Sequence, residues 1–410
     1  MKYFYFLLLT FLFSITGCKD EGTKPQEFPP GYQQDIPWPS LADSPWPMNH
    51  HDPQSTGRSK YAGPISGIIN WEIDSVYMKS GISIGPDSTI YFVSIIRKGL
   101  FAVRPDGSIK WILKDVVDNS EVYTTPLIAR DGTIYIGGGL NGKLYAVNPD
   151  GKIKWELQTP AFIYHVGLNI GKDGTIYLLS GSPQTTAKLI AISPNGTIDW
   201  YFENPNINYG SSGGTAISPD GKTIYIPGIG PSLFAVDLET HLLKWSFGQS
   251  RYQSIPTVNS EGDIYLLAKS DTVNSGKTSL YCLYPDGTIK WSFIHQQFIN
   301  AVFLEGTLDK YGNFYFASDT LFSLDYNGKL RWKLSLNNGS GGFLINDVNG
   351  NIYLNVDFSY PLKYYAVDNN GNLLWIADLG NQFGGFSSAI GTNKIIYIPT
   401  LKSEKVFSIK

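Results

Sequence analysis

Cysteine is almost absent from this 410-residue chain, with Cys18 and Cys282 as its only copies. A disulfide framework is therefore excluded as the source of its stability. Charge is sparse as well: charged residues make up 16% of the chain, and 32 basic against 35 acidic side chains leave a net charge of −3. That balance excludes the basic field by which proteins hold nucleic acid. Long apolar runs are missing. The longest, from Tyr3 to Phe13, falls short of the roughly 20 residues that cross a bilayer. No long segment of 3.6-residue periodicity lies in the body of the chain, which excludes a helical fold.

The first residues set the compartment. Lys2, the Phe- and Leu-rich run and the small residues up to Gly17 have the layout of a secretory signal. Ile15-Thr16-Gly17-Cys18 resembles a bacterial lipobox, which implies cleavage before Cys18 and lipid on its sulfur. Cleavage removes Lys2, leaving 31 − 35 = −4. The expected divisions are a signal peptide over 1–17, a lipidated Cys18 with a disordered, Pro-rich tether over 18–45, a lead-in over 46–67 whose Trp46–Gly57 stretch lies ordered across the ring, and a repeat domain over 68–410. Lys19-Asp20-Glu21 resembles the Lys-plus-acidic signal that sends Bacteroidetes lipoproteins to the outer surface. An outer-membrane lipoprotein, surface-exposed and monomeric, is the expectation.

What the chain has in abundance is repetition. Trp71, Trp111, Trp155, Trp200, Trp245, Trp291, Trp332 and Trp375 recur at spacings of 40, 44, 45, 45, 46, 41 and 43 residues. Seven of them end a common phrase such as Leu100-Phe-Ala-Val-Arg-Pro-Asp-Gly-Ser-Ile-Lys-Trp111. Pro-Asp-Gly and Asn-Gly between apolar runs are hairpin chemistry, because these residues accept the positive φ of a tight turn. A second phrase, Asp131-Gly-Thr-Ile-Tyr-Ile136, has counterparts around Tyr91, Tyr177, Tyr225, Tyr265, Tyr315, Tyr353 and Tyr397. Each period thus holds about four strands, the content of one propeller blade. The slot held by Ala102, Ala146, Ala191, Ala235, Cys282, Ser323, Ala366 and Ser408 is always small, which predicts close packing there and makes Cys282 an inert core residue. The array starts with one outer strand and ends with three inner ones. An all-β, eight-bladed propeller of four antiparallel strands per blade follows, its eighth blade closed by pairing Ile69–Ile73 with Lys405–Ile409.

The repeat resembles the pyrroloquinoline-quinone-type propeller repeat, Ala-x-Asp-x-x-Thr-Gly-x-x-x-Trp. Ala235-Val-Asp237-Leu-Glu-Thr240-His241-Leu-Leu-Lys-Trp245 keeps the spacing, with His241 in place of the Gly. That family includes quinoprotein dehydrogenases, which hold the quinone and Ca²⁺ in the channel. It also includes non-enzymatic propellers, among them the lipoprotein of the outer-membrane β-barrel assembly machinery, similar to this chain in architecture. Asp106, Asp150 and Asp286 fall in hairpin turns, where Asp needs no catalytic explanation. His50-His51-Asp52 offers only three local ligands and reads as structural. No catalytic residue, metal or cofactor is assigned, and quinoprotein chemistry is the remote alternative. The expected role is binding or scaffolding of a protein, peptide or glycan, or outer-membrane assembly. The candidate ligand face is Tyr77, Tyr123, Tyr164, His165, Tyr209, Arg251, Tyr252, Phe298 and Phe383, aromatic and polar residues ahead of the innermost strands. Filling of blade junctions is the competing reading of these nine.

Overall fold

A computed structural model describes residues 28–117, 124–163, 167–182, 185–207, 214–248, 254–269, 278–295, 305–336, 340–357, 361–382, 384, 386–400 and 405–410. The chain forms eight four-stranded antiparallel sheets arranged as the blades of a propeller. Blade 1 runs outward from Ser83–Ile84 through Ile90–Ser94 and Gly99–Val103 to Ile109–Lys114. The innermost strands of blades 2 to 7 are Leu127–Ile128, Asn169–Ile170, Ala216–Ile217, Thr257–Val258, Thr307–Leu308 and Ser340–Asn346. Blade 8 takes Ala389–Ile390, Ile396–Pro399 and Val406–Ile409 from the C-terminus, and Ile69–Ile73 as its outer strand. The predicted clasp has the register Ile73 with Val406, Glu72 with Phe407 and Trp71 with Ser408. Lys405 Nζ adds ion pairs to Glu72 at 2.6 Å and Asp74 at 3.0 Å.

Burial follows position in the blade. The two middle strands of blade 1 are buried throughout, IYFVS and GLFAV, because neighbouring blades cover both their faces. Outer strands alternate, as in Ile153–Gln158, since only one face meets a neighbour. The small slot lies between the tyrosine and the tryptophan: Ala102 pairs with Tyr91 on one side and Trp111 on the other. A small side chain there lets the two rings meet above it, at 5.9 Å in blade 1 and between 5.7 and 6.0 Å in the other seven. The close packing inferred from the sequence is therefore first within the blade.

The tryptophan then links each blade to the next. Trp111 Nε1 donates to Pro149 O at 3.0 Å and Trp155 Nε1 to Pro194 O at 2.9 Å, each carbonyl lying in the next blade's outer hairpin. Gly151 in that hairpin has φ +86°, and a Cβ there would sit 2.9 Å from the Trp111 ring. Blade 4 departs from this rule. His241 occupies the glycine position at φ +61° and stacks on Trp200, with centroids 4.2 Å apart and planes at 15°.

Candidate functional site

The chain ahead of the first blade does not hang free. Trp38, Leu41 and Ala42, assigned from sequence to a tether without a core, are buried. Trp38 Nε1 donates to Ile170 O at 2.8 Å, and Gln33 N to Lys310 O at 2.8 Å. The ordered lead-in therefore begins well before residue 46. It crosses the face that carries the short hairpin turns, since Gln33, Trp38 and Ser40 all bond at or beside the inner turns of blades 3, 5 and 6.

From Trp46 the chain turns into the ring and winds along the innermost strands in ring order. Trp46 O accepts from Ile84 N of blade 1 at 2.7 Å, and Pro47 O from Ile128 N of blade 2 at 2.8 Å. Pro53 O accepts from Asn169 Nδ2 of blade 3 at 3.1 Å and from Ile217 N of blade 4 at 2.7 Å. Gln54 O, Thr56 O and Gly57 O accept from Val258 N, Leu308 N and Asn346 N of blades 5, 6 and 7, each at 2.9 Å. Each innermost strand has one sheet neighbour, so its other edge needs partners that a dry channel cannot supply. This inner strap supplies them. Its tight winding uses positive φ at His50 (53°), His51 (75°) and Ser55 (56°), conformations held only where surroundings over-determine them.

Several polar groups of the strap are paired, while Trp46 Nε1, His50 Nδ1 and His51 Nε2 are buried without a hydrogen-bond partner among the described residues. His50 Nε2 meets a carboxylate oxygen of Glu305, just ahead of the inner strand of blade 6, and both residues are buried. His51 Nδ1 faces Asp52 Oδ2 at 3.2 Å. Asp52 also accepts from Thr56, through the backbone N–H at 3.0 Å and through the hydroxyl. Burial pushes the Asp52 carboxyl up, but the hydrogen bond and charge of His51 with the two bonds from Thr56 outweigh it, leaving it below the usual carboxylate range. His50 and His51 thus serve different partners, and among the described residues no group of three or more His, Cys, Asp or Glu could hold a metal ion.

The strap also bears on the quinone. Residues 46–57, most of them buried, run along the inner edges of blades 1 to 7. A planar cofactor in that stretch would displace backbone bonds to six blades, so the residues present do not fit one. Asp106, Asp150 and Asp286 each accept from the backbone N–H two residues on, at 2.9, 3.1 and 2.9 Å, the turn role read from sequence. Cys282 is fully buried, and burial first, then Asp263, pushes its thiol far above the ordinary range.

Of the nine candidate ligand residues, Tyr77 is described. It is half-buried beside the core of blades 1 and 2, with Lys79 Nζ 5.9 Å from its ring centroid. Tyr123, Tyr164, His165, Tyr209, Arg251, Tyr252, Phe298 and Phe383 lie outside the described residues, as does Cys18. The strap, which sequence reasoning missed as a channel filler, left one trace: an aromatic, Trp46, opening a stretch rich in Asn, His, Gln, Ser and Thr.

Comparison with known proteins adds to this geometry. Among curated proteins, no sequence matches. The crystal structure of BamB from Moraxella catarrhalis superposes with a TM-score of 0.59 at 16% identity, over 83% of this chain and 96% of that one. The C-terminal WD40 domain of Sif2 gives 0.65 at 14% identity, over 85% and 99%. A catalytically inactive virginiamycin B lyase from Staphylococcus aureus with quinupristin gives 0.52 at 13%, over 83% and 98%. At these identities the likeness is one of fold. The family model for outer membrane protein assembly factor BamB matches residues 185–409, more than half of the 410. With eight Trp-locked blades and a ring clasped by its own termini, the chain belongs to that PQQ-repeat family.

Proposed function

We propose that this chain is a non-catalytic binding or scaffolding module of the bacterial cell envelope, anchored by lipid on Cys18 and presenting its loop face to a protein, peptide or glycan. The observation that carries this reading is the inner strap. The chain itself takes the axial position along the inner strands of blades 1 to 7, which leaves recognition to the surface. The chain ahead of the strap crosses the turn face. The candidate residues belong, by chain position, to connections from the outer strand of one blade to the inner strand of the next, at the opposite end of the strands. Family membership supports a protein partner and an outer-membrane location, and with them a role in outer-membrane assembly. Lys19-Asp20-Glu21 favours the alternative, capture of an external glycan or peptide at the cell surface.

Photo-cross-linking in cells separates these readings. A cross-linking amino acid replaces Tyr123 or Tyr209 on the loop face, and Asp150 on the turn rim as the control. Adducts from the loop positions alone support the reading; none, or equal adducts from Asp150, overturn it. Protease digestion of the ring on intact cells selects surface capture, and protection until lysis selects assembly. A Cys18→Ala chain that stays in the membrane fraction removes the lipid anchor.

A further inference from the structure

The lead-in first meets the ring at blade 6, and there the repeat is broken twice. In the inner hairpin turns the residue ahead of the positive-φ position is Asp, Glu or Asn in the other seven blades, as at Asp131 and Asn349, but Tyr311 in blade 6. In the outer hairpins the residue two before the turn glycine is Pro in four blades, as at Pro149, but Tyr326 in blade 6. Turn geometry asks for neither tyrosine. Both stand where the start of the lead-in is pinned. Gln33 N donates to Lys310 O at 2.8 Å, and a Cβ on Gly31 would lie 2.7 Å from the Tyr326 ring. A Cβ on Gly312, next to Tyr311, would collide with Gly31 O.

Four aromatic rings gather around this point. Phe28 stacks on Tyr32, with centroids 4.5 Å apart and planes at 10°. Tyr311 and Tyr326 flank Gly31 from the two hairpins. Phe28 and Tyr311 nonetheless remain 41% exposed each. Lys310 Nζ lies 5.2 Å from the Tyr311 ring centroid, and Lys329 is exposed in the outer hairpin. A single exposed ring needs no explanation. Pinned Phe and Tyr rings with lysines beside them match the side chains that sit at the headgroup level of a bilayer, ring towards the acyl chains and ammonium in water. Chain length points the same way. Nine residues separate Cys18 from Phe28, which gives a reach of at most about 35 Å. The opposite rim, on blade 2, is more than roughly 30 Å from blade 6, because each radius of the ring holds three inter-strand gaps of about 4.8 Å. Lipid on Cys18 therefore ties the membrane to the blade that carries the extra aromatics.

We propose that the turn-face rim of blade 6 is a membrane-contact surface. Phe28 and Tyr311 sit at the headgroup level of the phospholipid bilayer that holds the Cys18 lipid, with Tyr32 and Tyr326 behind them and Lys310 and Lys329 at the phosphates. The contact fixes how the ring stands on the membrane and turns the loop face away from it, towards a partner. It rests on the lipid anchor proposed above and is independent of what the loop face binds.

The test places the lipidated full chain on vesicles of phosphatidylethanolamine and phosphatidylglycerol, with a fluorophore on Asn327→Cys in the blade 6 hairpin or on Asp150→Cys at the equivalent position of blade 2. Cys282 is fully buried and Cys18 is capped by lipid, so the added thiol takes the label. Nitroxide on the lipid acyl chains, close to the headgroup, is expected to quench the label of Asn327→Cys and to leave that of Asp150→Cys bright. Phe28→Ser combined with Tyr311→Ser, both at exposed positions, should abolish the quenching while the chain still floats with the vesicles. Equal quenching at the two positions, or quenching that survives the double substitution, overturns the proposal. So does a dark response at Asn327→Cys in a chain that floats, the result expected of a patch made for a protein. Flotation reads the anchor separately: a chain that does not float removes the lipid on Cys18 and the membrane contact with it.

Discussion

The perimeter of the ring and its axis are built by opposite strategies. On the perimeter one device is used eight times, a tyrosine and a tryptophan meeting over a small residue, and six of the tryptophans also bond a carbonyl of the next blade's hairpin. Along the axis nothing repeats. A single strap meets seven blades through six carbonyls at irregular spacing, Pro53 O serving blades 3 and 4 both. Repetition makes the perimeter tolerant, because each joint carries about one part in eight of the whole. The axis concentrates several blades' unpaired edges on one short segment, where each bond is worth roughly 1 kcal/mol net.

The largest effect that can break this contrast is at the clasp. Deleting Val406–Lys410 removes three buried apolar side chains and the ladder to Ile69–Ile73. At about 2 kcal/mol per side chain plus the ladder, the loss is on the order of a domain's whole stability of about 5–15 kcal/mol. The truncated chain is expected to lose its cooperative thermal transition; an unchanged melt contradicts the closure.

The axis comes next. Glu305→Ala leaves His50 buried opposite an empty site, a change that costs about 3–5 kcal/mol for buried pairs. Chemical denaturation should show that loss, and a loss under about 1 kcal/mol would mean the strap is not held through this pair.

Asp52→Asn sharpens the same point through pH. The folded carboxyl sits below its ordinary value of 3.8, so its stabilisation is present above that pH and is lost as pH falls through the lowered folded value. The variant is expected to be about 1–2 kcal/mol less stable at pH 7. The gap to wild type should close below about pH 4, and a pH-independent gap contradicts the assignment.

The smallest effect belongs to one perimeter joint. Trp111→Phe keeps a ring over Ala102 but loses the bond to Pro149 O, at a cost of about 1 kcal/mol. Trp200→Phe loses no such inter-blade bond and keeps a ring for His241 to stack on, so its cost should be smaller by denaturant midpoint. Equal costs would show that stacking, not the hydrogen bond, sets the joint.

The same contrast governs what the sequence revealed. The perimeter was legible because period, turn chemistry and the small slot at Ala102 and Cys282 agree eight times over, which fixed blade number, strand count and the clasp. The strap was legible only as an ordered lead-in lying across the ring from Trp46 to Gly57; its winding along the inner strands was not, because it occurs once. Residues 28–45 read as a tether for a sound compositional reason: Pro-rich polar chain cannot build its own core. Composition does not report whether such a chain can dock on a core already built. Extended backbone with free carbonyls is suited to do so, as Ser40 O, which accepts from Arg130 N, and Pro47 O, which accepts from Ile128 N, show. The candidate ligand face rested on non-repeating loop residues, and Tyr77 alone of its nine falls among those described.

The most direct measurement is hydrogen exchange at the six amides of Ile84, Ile128, Ile217, Val258, Leu308 and Asn346, the inner edges bonded to the strap. The account predicts that all six exchange only with global unfolding and lose protection together in Glu305→Ala. Fast exchange at these amides in the intact chain, while the middle strands stay protected, would contradict a strap that fills the axis.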